Sequence, residues 1–418
     1  MPVSIAKLGA LCAMVVVAAA QAPAAPVAGQ VAQAASAAAP ISPLAAKYAN
    51  MPTLWPDPDQ TKGAINVPDL LKSPLVQDGM KRVTAAVPAN ILALQPAVKN
   101  GDTITYPAGK AGADGGCYAQ MQCNRTVAAN GYQPDVTACL GDNEWALTYD
   151  DGPSVNEQAN PSTVTLLEEL SKMNQTSTFF VAGSSSFYNP TVLKRIHEEL
   201  HHEVAVHTWT HPPLTTLTNE QIVAEILYTE AWIVRTLGVK PRFFRPPFGD
   251  ADDRVRAIIG ALGYNNIMWA FDSMDSHTTD VNAVVNVAKS WFHPQKGFIA
   301  LEHSLSNVTN AMSIAVLQAV QQTPNFPLKL TTVGACIGMD PYIDVASAAA
   351  AAAPPTTAPT KSASPPKPSS GASGSSGSPK STGTSTPAGQ TGAAGRMSSN
   401  VAVMVGVGLS SAVLAMLM

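Results

Sequence analysis

Charge is scarce in this 418-residue chain: Lys, Arg, Asp and Glu together supply 13% of it, and 25 basic against 29 acidic residues leave a net charge of −4. With no basic stripe to meet a polyanion, nucleic acid is excluded as a partner, and nothing in the sequence implies a protein partner. Cysteine is also sparse, at five residues. One of them, Cys12, lies in a leader-like stretch where Lys7 precedes the apolar run Leu8–Ala20 and small residues follow, the pattern of a secretory signal removed near residue 22. The other four, Cys117, Cys123, Cys139 and Cys336, are an even set in an exported chain and are expected as two disulfides. Cys139 and Cys336 flank the regularly patterned region, so these two are expected to pair, and Cys117 with Cys123 to close a local loop. Sequons at Asn124, Asn174 and Asn307 suit glycosylation in the same compartment.

Core-forming sequence is missing over much of the chain. Residues 25–46 are Ala/Pro-rich and residues 348–395 are dominated by Ala, Ser, Thr, Pro and Gly, so neither can bury a core. The sequence thus divides into a leader 1–22, an Ala/Pro-rich and irregular lead-in 23–138, a folded region 139–342, a stalk 343–395 and a tail 396–418. The tail ends in the uncharged apolar run Val401–Met418, with small residues Gly392–Ala394 and a polar spacer before it. Together with a leader and a stalk, this is the pattern of a glycosylphosphatidylinositol attachment signal, whose apolar end is removed and exchanged for lipid. A secreted protein anchored through that lipid at the plasma membrane or cell wall is expected.

Within 139–342, short apolar runs rich in Val, Ile and Phe alternate with amphipathic ones. Strands are expected at 145–149, 178–182, 203–207, 242–245, 267–271, 298–303 and 328–333, with helices at 162–173, 191–201, 220–237, 253–262, 282–292 and 311–321. That order predicts an α/β fold, a distorted and incomplete (β/α) barrel of about seven parallel strands.

Five motifs end or follow these strands: Thr148-Tyr149-Asp150-Asp151-Gly152, His207-Thr208-Trp209-Thr210-His211, Arg245-Pro246-Pro247-Phe248, Asp272-Ser273-Met274-Asp275 and Leu301-Glu302-His303. Strand ends on one rim are where such a fold gathers its chemistry. His207 and His211 are spaced to converge on one divalent ion, and either Asp150 or Asp151 completes a two-His, one-carboxylate set with positions open to water. Adjacent side chains on a strand point to opposite faces, so one aspartate is expected on the metal and the other toward substrate. His197, His201 and His202, at the end of a charged helix, read instead as solvated or capping residues.

These five motifs, in this order, resemble those of the NodB-like polysaccharide deacetylases, carbohydrate esterase family four, and among them the fungal chitin deacetylases, over residues 142–339. The resemblance implies a NodB-homology domain that hydrolyses the N-acetyl groups of chitin to chitosan and acetate in cell-wall modification. It implies Asp150 as general base, Asp151, His207 and His211 as ligands of zinc, cobalt or another divalent metal, Arg245 as the holder of the base, and His303 as general acid paired with Asp275. It also places the backbone N–H of Phe248 beside the reacting carbonyl. Another acetylated polymer such as peptidoglycan or xylan, and a non-catalytic carbohydrate-binding wall protein, are the alternatives.

Three positions depart from the family pattern: Ser276 where Trp is usual, Ser304 where Asp is usual and Phe248 where Tyr is common. Trp209 and Phe248 are expected as substrate contacts. So is Asp250, which with Asp252 follows the third motif and offers a carboxylate to the ammonium of a neighbouring glucosamine, Asp253 being left to cap a helix. Partly deacetylated chains are the substrate this favours.

Overall fold

A computed structural model describes residues 48–343 apart from 60–62, 102, 108–116, 120–122 and 156–159. The leader, the stalk and the tail lie outside the described residues. Among the described residues no helix is long and apolar enough to cross a membrane.

The regular region runs β1 (Ala138–Asp142), β2 (Glu144–Ala146), β3 (Thr148–Asp151), α2 (Thr163–Lys172), β4 (Thr178–Val181), β5 (Glu203–Val206), α3 (Asn219–Leu237), β6 (Phe243–Phe244), α4 (Asp253–Ala261), β7 (Asn265–Asn266), β8 (Phe271–Asp272), α5 (Val281–Lys289), β9 (Lys296–His303), α6 (Asn307–Gln321) and β10 (Lys329–Thr331), and α1 (Pro74–Ala86) precedes it. Neighbours β7, β6, β5, β4, β3 and β9 pair in parallel, and β10 pairs in parallel with β2. All the expected strand positions therefore carry parallel pairing.

The expected strand 267–271 is divided because the chain changes partner there: β7 pairs with β6, whereas β8 pairs with β9. This hand-over brings the sheet round on itself. Val136 bridges to Ile267 and β1 runs antiparallel to the first half of β9, filling the remaining gap at the base. Ala146, Phe180, Ala205, Phe243, Ile267 and Ile299, each from a different strand position, form one small buried cluster inside the curl. That apolar plug makes the architecture a distorted, packed barrel rather than a pore. The larger core lies between strands and helices.

The lead-in is less irregular than its composition suggests. Trp55 is fully buried against Phe187, Trp209, Tyr228 and Trp232. Helix α1 packs on α3 through Gly79, where a Cβ would collide with Leu227 and Val223. Tyr48 donates to the buried Glu230, which also pairs with Lys240 at 2.9 Å. The Pro-rich connections hid this packing, because the apolar residues that dock are isolated rather than periodic.

Cys117 is bonded to Cys123, and Cys139 to Cys336 across a separation of 197 residues. A loop of that length stabilises the fold by ~5 kcal/mol in the chain-entropy model.

Candidate active site

Alternation along the strands decides which side chains meet at the rim. Residues 148 and 150 of β3, 205 and 207 at the end of β5, Arg245 after β6 and residues 299, 301 and 303 of β9 share the inward phase, so Asp150 and His303, paired in register, face the same interior. Asp150, Asp151 and His207 are buried, and His211 and His303 are partly open.

The two aspartates do not point apart as strand alternation predicts. Asp151 adopts a left-handed φ of 74°, which turns its carboxylate back: its Oδ1 lies 3.2 Å from His207 Nε2, while Asp150 Oδ2 lies 3.8 Å from the same nitrogen. Thr208 and His211, at φ 66° and 57°, fold the second motif so that His211 Nε2 also reaches Asp151 Oδ1, at 3.1 Å. Non-glycine residues in this region are held there only by their surroundings.

These three atoms fit a divalent ion. His207 Nδ1–H donates to the Arg245 carbonyl at 2.7 Å, which leaves the Nε2 lone pair facing the site. Asp151 Oδ1 is buried without a hydrogen-bond partner although two ring nitrogens lie beside it. Ligand bonds of about 2.0–2.2 Å set at right-angled to tetrahedral directions put donor atoms about 3–3.5 Å apart, the spacing of Asp151 Oδ1 from each imidazole nitrogen. Burial pushes the Asp151 carboxyl up, but the neighbouring His211 and His207 imidazoles hold it well below the usual range, the ionised form a ligand needs. Among the described residues no other group of three such side chains converges in this way.

Arg245 fills the barrel just above the apolar plug. Fully buried, it lies 4.0 Å over the Phe180 ring and donates to Asp150 Oδ1 and Thr148 Oγ1, both at 2.7 Å, and to the carbonyls of Ile267 and Met268. On the other side Asp275 holds His303 twice, through Nδ1 and the backbone N–H, each at 2.7 Å. Burial alone depresses the His303 imidazolium, yet the hydrogen bond to Asp275 and the carboxylates of Asp151, Asp275 and Asp150 raise it to about 10. His303 is thus a proton donor at neutral pH, with Nε2 turned away from Asp275.

Residues 137–267 match the family described as polysaccharide deacetylase. The chain carries a polysaccharide deacetylase domain. Chitin deacetylase 1 of Cryptococcus neoformans is 33% identical over 307 residues, which cover 68% of this chain and 61% of that protein. Chitin deacetylase 1 of Saccharomyces cerevisiae is 32% identical over 50% of this chain and 65% of its own length. The chain thus spans less than two thirds of either relative. The solved chitin deacetylase of Colletotrichum lindemuthianum is 25% identical and aligns with a TM-score of 0.45 over 50% of this chain and 95% of that one.

Not every expected site residue of the deacetylase domain reaches the rim. Trp209 is fully buried, its ring stacked 5.9 Å from Trp55, so it is a core residue and not a substrate contact. Asp250 is also fully buried, accepting from Thr215 N at 2.8 Å, Thr215 Oγ1 at 2.7 Å and Tyr106 OH at 2.8 Å. Asp252, not Asp253, caps α4, and Asp253 pairs with Arg125 at 2.6 Å. No carboxylate of this group is available to a glucosamine ammonium, so none of them favours partly deacetylated chains. Phe248 stays at the rim, exposed and edge-on to His211 at 4.6 Å, with φ 59°. Asn124, Asn174 and Asn307 are exposed, as carriers of glycans must be.

Sequence reasoning missed Glu302. It points outward from β9, fully buried, and neither carboxyl oxygen has a hydrogen-bond partner. Burial pushes this carboxyl up to about 8, the Asp275 carboxylate adds to the rise, and Ser313 and His303 offset only part of it. A folded-state value above the unfolded one means that stability falls as pH rises from about 4.5 to about 8. Glu302→Gln should therefore match the parent at pH 4 and exceed it at pH 8.5 by on the order of a few kcal/mol in urea unfolding. An unchanged difference at the two pH values would contradict a neutral Glu302.

Proposed function

We propose that this protein is a divalent-metal-dependent deacetylase acting on the N-acetylglucosamine units of chitin, giving chitosan and acetate. The observation that carries the reading is the meeting, on the rim of a polysaccharide deacetylase domain, of a metal-fitting triad with an Arg-oriented carboxylate and an Asp-oriented imidazolium. Curated relatives named as chitin deacetylases supply the substrate class.

Asp151, His207 and His211 would hold the divalent ion, which when bound would supply Lewis acidity to the reacting amide and its water. Asp150, oriented by Arg245, takes the proton of the attacking water. His303 then delivers its proton to the amine nitrogen as the C–N bond breaks. The Phe248 N–H is assigned to the carbonyl oxygen, and its ring to one wall of the substrate groove. Acetate release from purified protein on a panel of chitin, acetylated peptidoglycan and acetyl-xylan tests the substrate, and release only from the latter two would refute it. Asp150→Asn and His303→Ala should retain the metal while the rate falls by roughly 10²-fold or more. Near-parental turnover in either would remove that residue from the reaction.

The same proposal places the enzyme outside the cell on a lipid anchor, supported by the leader, stalk and apolar tail in the sequence. Ending the chain before Arg396 should release active enzyme into the medium. Recovery of the Val401–Met418 peptide from mature protein would show that the tail is kept.

A further inference from the structure

Helix α3 carries a fully buried carboxylate directly beneath the loop that joins the two metal-fitting histidines. Glu225 Oε2 accepts from Trp209 N and Thr210 N, both at 2.9 Å, and Oε1 accepts from Thr210 Oγ1 at 2.7 Å and Ile65 N at 2.9 Å. No cation neutralises it among the described residues, so four N–H and O–H donors do all the compensation. A buried charge of that kind is kept only while its donors are in place, and it holds them in return.

What it holds is the middle of His207-Thr208-Trp209-Thr210-His211. Two of these residues are left-handed, and the conformation must be imposed from outside. The loop has further restraints: Gly183 N donates to the Thr208 carbonyl at 2.8 Å, Ser184 N to that of Trp209 at 3.1 Å, and Trp55 stacks beneath the Trp209 ring. Two of these groups, Ile65 and Trp55, come from the lead-in, upstream of the segment that matches the deacetylase family.

We propose that Glu225 is the positioning residue of the metal site, and that through its bond to Ile65 the lead-in forms part of that site's support. The proposal rests on the reading of Asp151, His207 and His211 as metal ligands. By clamping Trp209 and Thr210, Glu225 fixes the approach of both imidazole nitrogens to Asp151 without touching the ion.

The test is the zinc dissociation constant of the full-length protein, measured by competition with a chromogenic chelator. Glu225→Gln keeps the volume but sets an amide N–H₂ against N–H donors, and should weaken zinc about 10- to 100-fold, the usual effect of disturbing the partners of metal ligands. Amide exchange at Ile65, Trp209 and Thr210 should rise with it. Glu203 serves as a control, since it is equally hydrogen-bonded at the barrel base, to Thr178, Thr332 and Gly334. Glu203→Gln should lower the melting temperature with zinc affinity unchanged. Thr210→Val, which deletes one donor and preserves the shape, should weaken zinc by a smaller factor even where Glu225→Gln does not fold. Zinc affinity within twofold of the parent in Glu225→Gln, or in Thr210→Val if Glu225→Gln does not fold, overturns the role of Glu225 and leaves the ligand assignment standing. A parent protein that binds no divalent ion overturns both.

Discussion

His207→Ala is expected to yield folded protein that carries no divalent ion and releases acetate at least about 10³-fold more slowly. The imidazole contributes one of only three donor atoms, and it is the one oriented from behind, by the Arg245 carbonyl. Its loss leaves Asp151 and His211, a pair that no longer spans a facial set. Elemental analysis of the purified variant beside the parent decides the matter, with circular dichroism to confirm the fold. Full occupancy in the variant would dismiss the ligand assignment, whatever its activity.

Arg245→Met is expected to cost about 3–5 kcal/mol, because it strands the buried Asp150 carboxylate together with two carbonyls at the hand-over between β6 and β9. Arg245→Lys rescues little, since a single ammonium cannot reach groups spread across the barrel as a planar guanidinium does. Adding Asp150→Asn to Arg245→Met should return part of the loss by removing the unpaired charge. Urea midpoints for the single and double variants measure this directly. Independent, additive effects would mean that Arg245 and Asp150 are not coupled.

The strands and the site's chemistry were readable because apolar runs end abruptly in Asp, His and Arg, and a parallel barrel brings such ends together. Two of the misreadings share one cause: the deciding partner lies far away in sequence. Trp209 looks like a sugar-binding aromatic until Trp55 is placed beneath it, and Asp250 looks like a rim carboxylate until Tyr106 and Thr215 surround it. The shared orientation of Asp150 and Asp151 was hidden for another reason, since nothing in Tyr149-Asp150-Asp151-Gly152 announces that the aspartate rather than the glycine takes the left-handed φ. Glu225 had a faint signal, an acid within the apolar run Ile222–Leu237, but only the loop above it explains that placement.

Cys139 and Cys336, whose Cα atoms lie 4.7 Å apart, join the chain where it enters the barrel to the chain where it has left β10. Once the non-covalent contacts of the lead-in have given way, tension arriving along the backbone from outside these two residues crosses a single covalent link instead of running through residues 140–335. The rim can keep its arrangement while the chain on either side is pulled. Only a reductant strong enough to open that bond would transfer the load to β1 and β10, and through them to the paired strands that carry Asp150 and His303.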